Sequence, residues 1–91
     1  MKNKNFVIIK HPEGHGKFLF YVPKRVQLEA GDKVVCETKM GPDQMGVCCC
    51  DSFIADPEVV CPLFGTQPMY MKYVTGKVEY ILFEFEKDDE E

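Results

Sequence analysis

Several signatures are missing from this chain, and each absence removes a class of function. No apolar run approaches the roughly 20 residues that a membrane-spanning helix needs. The basic start MKNKNFVIIK carries only Phe6 to Ile9 as an apolar stretch before Lys10 and His11. That is too short for a signal-peptide core, so a cytoplasmic protein is expected. There is no glycine-rich phosphate loop, no nucleophile elbow and no paired-carboxylate arrangement. The two histidines, His11 and His15, both fall in the Gly/Pro segment HPEGHG, where Pro12 and Gly14 prevent the helix that would align them. Enzymatic activity is therefore not expected.

The five cysteines are an odd set: Cys36, the run Cys48-Cys49-Cys50, and Cys61. An odd count with three adjacent members argues against a disulfide framework and for a reducing compartment. Cys48 and Cys50 share a strand face, but no second pair matches them in the way a zinc site requires. The expectation is that the cysteines act as small hydrophobes in a thin core, with no metal and no cofactor.

What is present is enough for one modest core. Of the 91 residues, 45% are hydrophobic and 29% charged, which excludes both a disordered and a membrane-embedded chain. The formal charge of -4 is unevenly spread. Residues 1–39 hold eight bases and four acids, whereas residues 86–91 hold five acids and one base. A domain over residues 1–85 followed by an acidic disordered tail at 86–91 is expected.

The pattern along the chain is that of β structure. NFVIIK and KFLFYV predict two strands around the HPEGHG turn, with Pro23 ending the second. Gly31-Asp32 launches an alternating strand over Lys33 to Thr38. Met40 to Gln44 predicts a turn, and Met45 to Phe53 a fourth strand, covered on both faces through the cysteine run. Asp56-Pro57-Glu58 is a helix-start signature, with Pro62 and Gly65 keeping any helix short, near residues 57–63. MYMKYV and KVEYILFEF predict two strands about a Thr75-Gly76 turn, with helix the rival over residues 69–74. The sum is an all-β fold, a small five- or six-stranded barrel or half-open roll of the OB or SH3-like kind.

Bases and aromatics are interleaved from Lys10 to Lys39. Single-stranded nucleic acid sites on β-barrels combine a basic groove with stacking platforms, because every base has a π-face and phosphate attracts Lys and Arg. Phe20 and Tyr21 are the candidate stacking residues, and Lys24, Arg25 and Lys39 the candidate phosphate contacts. The segment FLFYVPKRVQLEAGDKVVCETKMGPDQMGV, through Phe20, Tyr21, Val22, Pro23, Leu28, Gly31, Val34, Val35, Gly46 and Val47, resembles the N-terminal 3′-end DNA-binding domain of the primosomal replication-restart helicase. The resemblance covers about a third of the chain. It implies a small barrel that binds single-stranded DNA or replication or mobile-element machinery. The family's acid between the aromatic and the tyrosine, which helps read the 3′ hydroxyl, has no counterpart here, because Phe20 abuts Tyr21. The alternative reading is a protein-interaction adaptor or self-associating domain, docking through an open edge strand or through Val59 to Phe64.

Overall fold

The structure, a computed structural model, describes residues 3–12, 16–38 and 41–86, with the backbone alone for 41–43. Seven strands are assigned: β1 (Lys4–Lys10), β2 (Phe18–Val22), β3 (Lys33–Thr38), β4 (Gly41–Cys48), β5 (Phe53–Ala55), β6 (Val74–Val78) and β7 (Leu82–Glu84). One helix, α1 (Pro57–Leu63), and one 3-10 turn (Pro68–Tyr70) separate β5 from β6. Six strands form one antiparallel sheet in the order β2-β1-β4-β3-β6-β7, and β5 adds to β1. The sheet curls into a half-barrel. The curl brings β2 to the segment that leads into β6, where Tyr21 N–H donates to the Lys72 carbonyl at 2.9 Å and Tyr21 bridges Tyr73.

The sheet is apolar on both faces at β1 because the chain covers both. Val7 and Ile9 enter the barrel interior with Phe20, Val22, Leu28, Val34, Cys36, Cys48 and Val74. Phe6 points the other way and joins Leu19, Val60 and Cys61 beneath α1. A continuous apolar run is what a strand buried on both sides requires.

The helix forms where its start signature lies. Asp56 is the N-cap and accepts a 2.9 Å bond from the Glu58 N–H, with Pro57 in the first turn. Gly31 takes φ +94°, a conformation that L side chains rarely adopt, and its N–H donates to the Cys48 carbonyl at 2.8 Å.

Four expectations change. First, the predicted fourth strand is interrupted. Ile9 pairs with Cys48 and Phe6 with Phe53, so two residues of β1 face the four residues between β4 and β5, a bulge that turns Cys49 to solvent. The cysteine run is therefore not covered on both faces: Val47 is exposed and Cys48 buried. Second, β4 already starts at Gly41 and includes Pro42, so residues 41–44 are strand rather than turn. Proline is tolerated there because β4 pairs with β1 only at its far end, through Val47 and Cys48.

Third, Thr75-Gly76 is no turn. Both lie inside β6, where the register slips between Val35 and Cys36 and Thr75 Oγ1 donates to the Val35 carbonyl at 3.3 Å. Glycine is needed at 76 by close approach: a Cβ there would stand 2.8 Å from the Phe83 carbonyl oxygen. The reversal falls at Glu79 to Ile81 instead, where Glu79 N–H donates to the Ile81 carbonyl at 3.1 Å. Fourth, Met69 and Tyr70 lie in the 3-10 turn, and strand begins only at Val74. Residues 87–91 of the acidic tail and residues 13–15 of HPEGHG lie outside the described residues.

Candidate functional site

The candidate stacking residues Phe20 and Tyr21 are neighbours on one strand, so they face opposite sides of the sheet. Phe20 is 5% exposed in the barrel interior, with the His11 ring edge-on at 5.7 Å. This corrects its assignment as a platform for bases, since a ring enclosed by core side chains offers no free face. Tyr21 is half-buried on the outer side, between Phe6 and Tyr73, each with ring centroids 5.2 Å away. Burial pushes its phenol above the ordinary range, helped by Cys61, Tyr73 and Glu58 nearby.

Lys24 and Arg25 are placed more firmly than their sequence suggests. They are the corner residues of a β-turn closed by a 3.0 Å bond from Val26 N–H to the Pro23 carbonyl. Buried Asn5 holds this turn from β1, its Nδ2 donating to Pro23 O at 3.2 Å and Val26 O at 2.8 Å. Both bases are exposed, and exposed Lys72 lies next to Tyr73 across the Tyr21 backbone bond. Lys39, the remaining candidate, lies outside the described residues. Asn5, Lys72 and Tyr73 were not singled out by sequence reasoning. A lone Asn at the start of an apolar strand was the available signal for the first.

A second surface emerges from the strand registers. Lys10 pairs with Val47, Val47 with Lys33, Lys33 with Val78, and Val78 with Leu82. Paired residues share a face, so these five form one row across β1-β4-β3-β6-β7 on the outside of the half-barrel. The neighbouring row is Met45, Val35, Gly76 and Glu84. Among the described residues no helix covers these rows; Met45, Val47 and Leu82 are 45%, 38% and 43% exposed, while Val35 and Gly76 are buried, with the Leu82 side chain close over Gly76. Lys10 and Lys33 have no ion pair among the described residues, whereas Lys77 on the opposite face reaches Glu79 at 3.2 Å and Asp32 at 3.5 Å. The hairpin beyond adds exposed Tyr80 and Ile81, while Phe83, paired with Lys77, is exposed on the opposite face.

The cysteines divide by environment. Cys36 and Cys48 share the barrel interior, and burial pushes each thiol up to about 12; Cys48 adds to the rise at Cys36, and Asp32, Cys50 and Cys49 to that at Cys48. Such thiols are protonated and unreactive at neutral pH. No group of three metal-ligating side chains occurs among the described residues. The apolar Val59 to Phe64 segment is split too: Val60 and Cys61 are buried against the sheet, while Val59 and Leu63 face solvent.

No family model, curated protein or solved structure matches this chain.

Proposed function

We propose that this chain is a small non-enzymatic binding module whose partner is another protein, docked on the outer face of β4-β3-β6-β7. The observation that supports the reading is the row of exposed Val47, Lys33 and Leu82 and half-buried Val78, with exposed Met45 beside it, on a sheet face that no helix covers among the described residues. Contiguous apolar surface rimmed by charge marks docking surfaces more often than it marks free monomer surface. A photo-crosslinking residue at Val47 should capture a specific partner in the native cell, and one at exposed Gln27 should not. The complex reconstituted from the purified pair should be lost with Met45→Asp and Val47→Asp together. Equal capture from both positions, or a complex indifferent to the double substitution, overturns the reading.

A second reading is favoured by the Asn5-anchored turn. Exposed Lys24 and Arg25 follow Tyr21 by three and four residues, and exposed Lys72 adjoins Tyr73, its ring partner, a basic and aromatic combination suited to single-stranded DNA. Fluorescence anisotropy with a labelled oligonucleotide checks it. Binding that weakens steeply with salt and falls with Lys24→Ala and Arg25→Ala supports this reading, and binding without salt dependence sinks it.

A further inference from the structure

The docking face ends in an open strand edge with a defined chemistry. In the sheet order β7 is terminal, paired with β6 on one side only. Phe85 donates its N–H to the Thr75 carbonyl at 2.9 Å, and the Ile81 carbonyl accepts from Glu79. The odd-numbered backbone groups of this strand therefore point to β6, and those of Leu82 and Glu84 point away. Among the described residues their N–H and C=O groups have no strand partner. Leu82, Phe83 and Glu84 are all exposed.

Natural edges are blunted by short length, charge, proline or a bulge. This one has no proline between Ile81 and Glu86 and no register shift against β6, and its protection is its three-residue length and the charge of Glu84 and Glu86, which opposes acidic segments and favours basic ones. Leu82, Glu84 and Glu86 follow one another at strand spacing, and neither glutamate has an ion pair among the described residues. Self-pairing would bring these carboxylates of two copies close together, which like charges oppose.

We infer that β7 accepts an extended segment of the partner protein as an eighth strand, with an apolar residue opposite Leu82 and basic residues opposite Glu84 and Glu86. The inference rests on the protein-docking reading above and names how the partner enters. Backbone bonds to Leu82 and Glu84 supply the pairing, and the alternating side chains supply the selectivity.

The test uses the whole chain and the acetylated, amidated peptide Thr-Lys-Thr-Lys-Thr-Val-Thr-Thr, which in antiparallel register sets valine opposite Leu82 and the two lysines opposite Glu84 and Glu86. Two controls are the same peptide with glutamate for lysine, and the lysine peptide N-methylated on alternate residues in both phases. Amide exchange followed by NMR should slow at least tenfold at Leu82 and Glu84 on saturation with the lysine peptide. The N-methylated and glutamate peptides should leave both amides unchanged, and Glu84→Lys should reverse the preference between lysine and glutamate. No protection at these two amides at millimolar peptide overturns the inference. It does so while leaving the docking reading intact if the complex captured at Val47 persists. Equal protection by the glutamate peptide overturns the charge assignment, and protection that grows with protein concentration alone assigns the edge to a second copy and overturns the partner.

Discussion

The outer surface of the curled sheet has two halves built alike and finished differently. One transverse row runs Phe53, Phe6, Tyr21 and Tyr73, with ring centroids 5.9, 5.2 and 5.2 Å apart in turn. The other runs Lys10, Val47, Lys33, Val78 and Leu82. Helix α1 lays Val60 and Cys61 over the first, and Phe6 is completely buried. Over the second lies no described element. Aromatic rings that meet on a sheet stabilise it only once water is excluded from their faces, and the helix does that. The lysines of the second row keep the face hydrated in the free protein while leaving apolar area for a partner.

Substitutions on the two halves should therefore differ in size. Phe6→Ala is expected to cost about 3–5 kcal/mol of unfolding free energy, measured by urea denaturation, because it opens a cavity beneath α1. Gly76→Ala should cost about 1–3 kcal/mol, since the new Cβ meets the Phe83 carbonyl and must displace β7. Amide exchange at Phe83 should rise in that variant while amides of β1 and β2 stay protected. A pH-dependent effect of similar size belongs to the interior that both halves share. Unfolding frees the Cys36 and Cys48 thiols to ionise near their ordinary value of 9, whereas in the fold they hold their protons to about 12. The unfolded state thus sheds protons first, and stability, fully present below pH 9, should fall as pH rises toward 12. The slope approaches about 1.4 kcal/mol per pH unit for each thiol. Denaturation at pH 8 and pH 10 measures it, and Cys36→Val should make the fall shallower.

Asp56→Ala should cost about 1 kcal/mol by removing the side-chain bond to the Glu58 N–H, loosening the cover of the first half alone. The smallest effect is expected on the bare half. Met45→Ser should change stability by no more than about 0.5 kcal/mol. A loss comparable to that of Phe6→Ala would show that the second half is covered after all, and the comparison would fail.

Much of this architecture was legible in the sequence, and the failures share a cause. The strands at NFVIIK and FLFYV, the Gly31-Asp32 turn and the Asp56-Pro57 helix start follow from local pattern, because propensity and capping act within a few residues. Thr75-Gly76 misleads because a glycine chosen for close approach to Phe83 looks like one chosen for a turn. The cysteine run misleads because a bulge is a mismatch in length between two strands, and neither strand displays it alone. For the candidate site, the exposure of Lys24 and Arg25 was legible, while their anchoring by Asn5 depends on a residue 18 positions or more away. Phe20 was legible as aromatic strand but not as interior.

By itself the sequence determined the β class, the positions of most strands, the short capped helix and the uneven distribution of charge, all consequences of local backbone preference and composition. Tertiary structure alone decided which apolar face is covered. The alternation that sets Phe6 against Val7, and Val47 against Cys48, is the same in both cases. Whether an outward-facing residue becomes core or docking surface depends on where the curl of the sheet lets α1 come to rest, which is a property of long-range packing.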